Sequence, residues 1–292
     1  MSNALPPIPS GPRTSGMAIT SLVLGVSSFV LWILTGIPAV VLGTIALVRI
    51  NRSNGRLKGD GLAIAGIVTG GVTSVMIVPI MIALLLPAVQ AAREAAYRQV
   101  SINNLHQMSH ALQNHLDAKG TFPAAGGGPG SQLSWRVQIL PFIEEGTLYS
   151  QFHLDEPWDS EHNRALLDKM PEVFKSPGRD LPAGKTSYLA VTGPGTAFGD
   201  GTTGAGMRDF RDGLSNTAMI IEADADQAVD WTKPDDWQFN PSDPERGLGK
   251  LRRNGFLAAF GDSHIEFVNQ QTDPEVVKAI MTRDGGERVQ AR

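Results

Sequence analysis

Two long stretches of the chain carry no charged residue, Met17 to Val48 and Gly61 to Ala92. A helix rises about 1.5 Å per residue, so roughly 20 apolar residues cross the ~30 Å hydrocarbon core of a bilayer. The first stretch is longer than one untilted span requires. Thr35-Gly36-Ile37-Pro38 interrupts it, since proline removes a backbone donor. This predicts a first span ending near Leu34, then a short helix from Ala39 to Val48 at or within the membrane interface. Between the two stretches Arg49, Arg52, Arg56 and Lys58 cluster against one acid, Asp60. Short loops rich in Lys and Arg stay cytoplasmic. With one span on each side of this loop, both termini are expected outside; a third span would reverse the N-terminus. Gly66 and Gly70 form a GxxxG pattern that permits close helix approach and predicts closure of the hairpin against the first span. The competing reading is that glycine is simply frequent in membrane helices.

Beyond Pro87 the pattern changes from continuous to periodic. In LLLPAVQAAREAAYRQ (84–99) the left half belongs in a bilayer and the right half is alanine-rich and charged. Ile102, Leu105, Met108, Leu112 and Leu116 then recur at helical spacing and form one apolar stripe. Gly120 is a stop signal, with Pro123 just after it. One helix is therefore expected from inside the bilayer to about Lys119, kinked at Pro87 if anywhere. Trp135 to Leu140, Glu144 to Phe152 and Ser160 to Met170 read as short helices, the last capped by Asp159. Apolar β-type runs follow at SYLAV (187–191), TAMIIEA (217–223), FLAAF (256–260) and HIEFV (264–268). Gly261-Asp262-Ser263 joins the last two as a hairpin turn. Asp273-Pro274 opens a final helix. The fold class expected is α+β: an N-terminal transmembrane helical hairpin, then a long helix packed on a small antiparallel sheet. The domains are a disordered tail (1–16), a two-span membrane module (17–83) and an extracytoplasmic domain (84–292) that shares its helix with the second span.

Composition adds two exclusions. A net charge of −4 over 292 residues leaves no basic excess for nucleic acid. The absence of cysteine removes disulfides, thiolate metal sites and cysteine nucleophiles.

LLLPAVQAAREAA followed by NNLHQMSHALQNHLDAKGTFP resembles the prepilin-like family of domain of unknown function 1559. LSWRVQILPFIEEGTLYSQFHLDEPWDSEHNRALLDKMPEVFKSPG, FRDGLSNTAMIIEA, VDWTKPDD and GFLAAFGDSHIEFV carry the same resemblance. It implies a pilin-like architecture and an extracytoplasmic domain; it does not imply an enzymatic activity, since the family's biochemical role is unassigned. The motif residues it marks as structural are Pro87, Asn103, Asn104, Trp135, Asp212, Gly213, Asn216, Thr217 and Trp231. Residues 17–76 resemble domain of unknown function 4190, a two-helix membrane module. Three positions depart from the first family. Gly70 stands where a glutamate follows the prepilin cleavage site, and Ala65 precedes the bond that would be cut, which implies no processing and no filament. Ser101 and Ser176 replace cysteines that the resemblance implies are paired elsewhere, so these serines are expected to be neighbours. The C-terminal H-x9-DG signature is degraded, with Arg253 at the histidine, the spacing to Asp262 one residue short, and Ser263 at the glycine.

Candidate chemistry is sparse. His106 and His110 have a metal-compatible spacing, but lack the glutamate of a zinc protease and fit a solvated helix face. Gly199-Asp-Gly201-Thr-Thr-Gly204 is a literal GxGxxG with no helix after it, so a loop is expected. Asp262-Ser263-His264 holds triad residue types too close in sequence to converge. Asp209, Asp212, Asn216 and Glu222 form an oxygen-rich set that could serve calcium; the simpler reading is a capped turn at Asp212-Gly213. Trp231 marks either a core position or a binding surface. These features point to a non-enzymatic, membrane-anchored protein of the inner membrane, with structural or interaction work. Its partners would be lipid and an envelope protein or a second copy, with no cofactor. The alternative is a ligand- or calcium-binding sensor module.

Overall fold

A computed structural model describes residues 13–31, 33–53, 56–126, 132–178, 180–252 and 254–286. The tail expected at 1–16 lies largely outside the described residues, as does Arg253. The chain forms two compact units, Met1–Arg93 and Glu94–Arg292.

In the first unit, α1 spans Gly16–Leu31 and α2 spans Ile33–Arg52. The longest helix, α3, is Asp60–Lys119 and continues through Pro79 and Pro87. The break expected at Thr35–Pro38 is absent. Pro38 lies inside α2, near its start, where a missing N–H removes one hydrogen bond without ending the helix. Two helices of comparable length therefore stand where one span and a short interfacial helix were expected. By length and composition, one helix among the described residues, within Pro79–Lys119, suffices to cross a membrane. Arg13–Thr14 pairs in parallel with Leu57–Lys58, and the Ser15 N–H donates to the Lys58 carbonyl at 2.8 Å.

Small residues line the contacts within this unit. A Cβ on Gly66 would lie 2.6 Å from the Ser21 carbonyl, and one on Gly70 would lie 2.8 Å from the Gly36 carbonyl. Gly66 thus meets α1, and Gly70 meets α2. A Cβ on Gly43 would sit 3.0 Å from the Ala63 carbonyl. Ser21 Oγ donates to the Ala39 carbonyl at 3.0 Å. Ala18, Ala39, Ala46 and Ala63 are fully buried, while Val23, Val26, Val41, Val68 and Val72 are more than half exposed.

The second unit is a three-layer α+β domain. Its central sheet holds β1 (Tyr188–Thr192), β2 (Ala218–Glu222), β3 (Trp237–Gln238), β4 (Gly255–Phe260) and β5 (Ile265–Asn269), in the order β3-β1-β2-β4-β5. β1, β2, β4 and β5 pair antiparallel, and β3 adds a parallel edge. The four runs read from sequence are these four antiparallel strands. The two-residue β3 carries no periodicity to read. Every residue of β1, β2 and β4 is buried, which explains why they are apolar on both faces up to Thr192 and Glu222 at the strand ends.

On one face of the sheet Tyr188, Ala190, Leu257 and Ala259 share a core with Leu105, Met108, Leu112 and Leu116 of α3. On the other, Leu189, Val191, Phe256, Ala258 and Phe260 pack with Val277, Ile280 and Met281 of α4 (Pro274–Met281). A register shift between Ala218 and Ile220 sends both Met219 and Ile220 to the α3 side. Gly120, at φ +81°, ends α3 as expected. Asp273 caps α4 by accepting the Glu275 N–H at 3.0 Å.

The short helices depart from expectation locally. Glu144 has φ +65°, so the helix there is confined to Gly146–Tyr149. Ser160, rather than Asp159, caps Glu161–Arg164 by accepting the Asn163 N–H. The Asn163 amide also donates to the carbonyls of His153, Glu156 and Pro157, tying this turn to the preceding loop.

The β4–β5 turn places Ser263 at φ +73°, and its buried hydroxyl has no hydrogen-bond partner. Left-handed backbone costs an L residue roughly 1–2 kcal/mol, partly offset by the entropy glycine loses on folding. Ser263→Gly is therefore expected to stabilise the domain by roughly 0.5–1 kcal/mol, measured by chemical denaturation of the detergent-solubilised protein followed by tryptophan fluorescence.

Candidate functional site

Two buried polar centres and one cleft organise the second unit. The first centre joins α3 to the sheet. Glu222, at the end of β2, and Arg252, just before β4, have side chains with no solvent exposure. Glu222 Oε2 accepts from Arg252 Nε at 2.9 Å, and Oε1 accepts from Arg252 Nη2 at 2.7 Å. Ser101 of α3 donates to the same Oε1 at 2.8 Å, and its oxygen accepts from Arg252 and from the Tyr188 hydroxyl. Glu94 of α3 meets the remaining Arg252 nitrogen at 3.2 Å. Burial opposes the charge on Arg252, but Glu222 and Glu94 outweigh it and hold the guanidinium pKa above its ordinary value. Burial, then the Glu222 charge, raises the Tyr188 phenol well above its usual range.

The Tyr188 hydroxyl donates to Ser101 Oγ at 2.9 Å, and Ser176 lies against the same phenol. The two serines are neighbours around it, and Ser176 Oγ also contacts Ser187 Oγ. Asn104 donates to the Lys175 carbonyl at 3.2 Å, fastening the same segment to α3.

The second centre is the Arg136–Asp236 pair. Arg136 is completely buried and donates to the Tyr188 carbonyl through Nε and Nη2, to Ser134 Oγ through Nη1, and to Asp236 Oδ1 at 2.7 Å. Trp135 Nε1 and the Ala190 N–H also donate to Asp236 Oδ1. Burial pushes both groups toward their neutral forms, lowering the Arg136 pKa and raising that of Asp236.

Beside this pair opens a cleft of about 520 Å³, lined by Gln132, Asp200, Thr203, Asp235, Asp236 and Gln238 among others. It gathers the segment around Ala125 and Gln132, the glycine loop and the VDWTKPDD motif, which are far apart in sequence. Asp200 Oδ1 accepts from the Thr202 backbone and hydroxyl. Each segment taken alone reads as a loop, so the cleft has no local sequence signal.

The remaining candidate residues lie apart. Glu222 is committed to Arg252 and Ser101, so the proposed calcium set does not share one centre. Asp209 Oδ2 accepts the Gly206 N–H, and Asp212 Oδ1 accepts the Gly286 N–H. Asn216 donates to the Asp212 carbonyl, Thr217 to the Gly213 carbonyl, and Gly213 takes φ +91°. This is the capped turn. Among the described residues, no three His, Cys, Asp or Glu side chains are placed to hold a metal. Trp231 is fully buried against Phe152 and Phe174, with Nε1 donating to the Leu167 carbonyl; it is a core residue. Trp135 is also fully buried, and Asn103 accepts from Gln99 on an exposed face. Gly199 and Gly201 take φ +55° and +80° in a turn without a following helix. His264 Nδ1 sits 2.5 Å from Asp262 Oδ1, both exposed, while the Ser263 hydroxyl is buried away from partners. His106 and His110 stack on the helix surface. Sequence reading passed over His153 and His162, whose rings stack at 3.6 Å, nearly parallel at 2°.

Residues 90–206 match the family model of a protein of unknown function (DUF1559), and residues 17–80 match that of a domain of unknown function (DUF4190). These are the two families the sequence resembles, in the same order. Comparisons with curated proteins and with solved structures found no match.

Removing one partner of a buried ion pair leaves an uncompensated charge and costs about 3–5 kcal/mol, whereas replacing both with apolar groups costs far less. Glu222→Gln is expected to lose an amount of this order in urea unfolding, and Glu222→Leu with Arg252→Met to recover much of it. A further expectation concerns pH. Burial, opposed by the Thr121 carbonyl and aided by Lys119, lowers the His115 pKa below its ordinary value of 6.5. The unfolded chain then binds more protons than the folded one below about pH 6.5, so stability falls as pH drops through that range. His115→Gln should show a smaller loss between pH 7.5 and 5.5 than the parent in the same assay.

Proposed function

We propose that this chain, which matches DUF1559 over residues 90–206 and DUF4190 over residues 17–80, is a non-enzymatic, pilin-like envelope protein anchored in the inner membrane. The observation that carries the anchoring is the inverted packing of the first unit. Its interior is alanine, glycine and serine, and its exterior is valine, isoleucine and leucine. Water would not tolerate so large an apolar exterior, whereas lipid favours it and small residues permit close helix contact.

The same contacts support three membrane passes rather than two. α1 and α2 would be about 24 and 30 Å long at 1.5 Å per residue, and α3 supplies the third. The pairing of Arg13–Thr14 with Leu57–Lys58 brings the start of α1 beside the basic loop. If that loop is cytoplasmic, the N-terminus is too, the reverse of the two-span expectation, and the second unit remains extracytoplasmic.

A fixed anchor is favoured over a processed filament subunit. Position 70 has no room for a Cβ, let alone a glutamate, and Ala65 lies within an uninterrupted helix. The non-catalytic reading is supported by the buried ionisable groups, Glu222, Arg252 and Arg136, which are spent on holding elements together. The work left to the outer domain is structural: contact with an envelope partner or with a second copy.

The cysteine-free chain allows a direct test. Single variants Ser10→Cys, Asn51→Cys and Asp155→Cys would be expressed in cells and treated as spheroplasts with a membrane-impermeant maleimide. Labelling of Asp155→Cys alone is expected, with the other two reacting only after lysis. Labelling of Ser10→Cys in intact spheroplasts would restore the two-span arrangement, and labelling of none or all would remove the anchored reading.

A further inference from the structure

Between Thr14 and Ala92 every charged residue falls within one short segment: Arg49, Arg52, Arg56, Lys58 and Asp60. Arg49 and Arg52 lie on the last turn of α2, and Arg56 and Lys58 follow in the loop to α3. The four basic side chains are all exposed. Arg49 Nη1 rests on Met17 Sδ at 3.1 Å, and among the described residues none of the four meets a carboxylate.

The loop that carries them is fastened. Leu57–Lys58 pairs with Arg13–Thr14, Leu57 packs against the core of Ala18, Ala46 and Ala63, and its N–H donates to Ser53 Oγ at 3.0 Å. The fold therefore keeps four cations together at one end of the first unit. Like charges held together repel, and a bound anion relieves that cost.

The adjoining surface indicates which anion. Ile19 of α1, Ile45 and Val48 of α2, and Ile64 of α3 are exposed, and each lies in the turns nearest the loop. An apolar rim beside a basic cap reproduces the order of a bilayer surface, acyl chains first and phosphates next. A soluble anion or an acidic protein segment would engage the cap and leave the rim uncovered.

We propose that the basic cap binds the phosphate of an anionic phospholipid, whose acyl chains lie against the apolar rim. The inference rests on the anchored reading above and adds the class of lipid. Guanidinium groups present paired donors that match phosphate oxygens. Each basic residue near an anionic lipid surface strengthens attraction about five-fold. A zwitterionic headgroup carries its own cation and loses that gain.

Native mass spectrometry tests this on the full-length protein in mild detergent. The protein is incubated with equal amounts of phosphatidylglycerol and phosphatidylcholine, and the retained lipids are identified by mass. Phosphatidylglycerol is expected to be retained over phosphatidylcholine by at least about five-fold, and by less than about two-fold in Arg52→Gln/Arg56→Gln/Lys58→Gln. These three side chains are exposed and unpartnered, so the variant keeps its fold, checked by unchanged retention of phosphatidylcholine. Arg208→Gln/Arg211→Gln, which removes two exposed cations from the second unit, is expected to keep the full preference. Equal retention of the two lipids by the parent, an undiminished preference in the triple variant, or an equal loss in the double variant overturns the proposal. So does displacement of phosphatidylglycerol by equimolar inorganic phosphate or tetraglutamate, which would assign the cap to a soluble anion or an acidic protein. Equal retention leaves the anchor itself standing, since the maleimide labelling tests that reading separately.

Discussion

Glu222 and Arg252 face each other where no water reaches, and neither charge can be left there alone. The carboxylate belongs to β2, the guanidinium to the entry of β4, and the hydroxyl and second carboxylate that complete the network, Ser101 and Glu94, to α3. Stripping water from either ion is costly, and the mutual attraction compensates only when the geometry is complete. The network is therefore satisfied in one arrangement of helix, strand and strand. A slip of α3 by one turn, or of β2 by one residue, would leave a charge buried without its partner. Apolar contacts tolerate such slips far better, since leucine and isoleucine accept many neighbours. The pair is thus more important for choosing the arrangement than for the total stability of the domain.

The first unit solves the opposite problem. Its helices meet through small hydroxyl side chains, such as Ser21 on the Ala39 carbonyl, and many of their large apolar residues are exposed. Beside that hydroxyl contact, the absence of side chains specifies where the helices meet. Gly43, Gly66 and Gly70 each allow a neighbouring carbonyl or Cα to approach to a distance that any other residue would block. One chain therefore relies on close small-residue contact in one unit and on buried charge in the other.

Legibility in sequence followed the same division. The α3 stripe from Leu105 to Leu116, the four long strands, the Asp273 cap and the Gly120 stop are local patterns, and each is present in the fold. β3 is two residues long and joins the sheet in parallel, so no period announces it. The break at Pro38 was misplaced because proline marks a missing hydrogen bond, and near a helix start that loss is small. Long-range features had no local signal at all. Nothing near Glu222 indicates Arg252, and the cleft draws on loops around residues 132, 200 and 235 that look unremarkable separately. Ser101 and Ser176 are the exception. Their comparison with the family placed them together, and they meet at Tyr188.

That meeting has a consequence for where the domain can fold. A cystine at such a position would need an oxidant and a partner thiol, and a reducing environment could undo it. The serine–tyrosine cluster forms as soon as α3 reaches the sheet, through hydroxyl contacts with no redox chemistry. The clasp between helix and sheet is therefore indifferent to reductant. It can close and stay closed in reducing and oxidising surroundings alike.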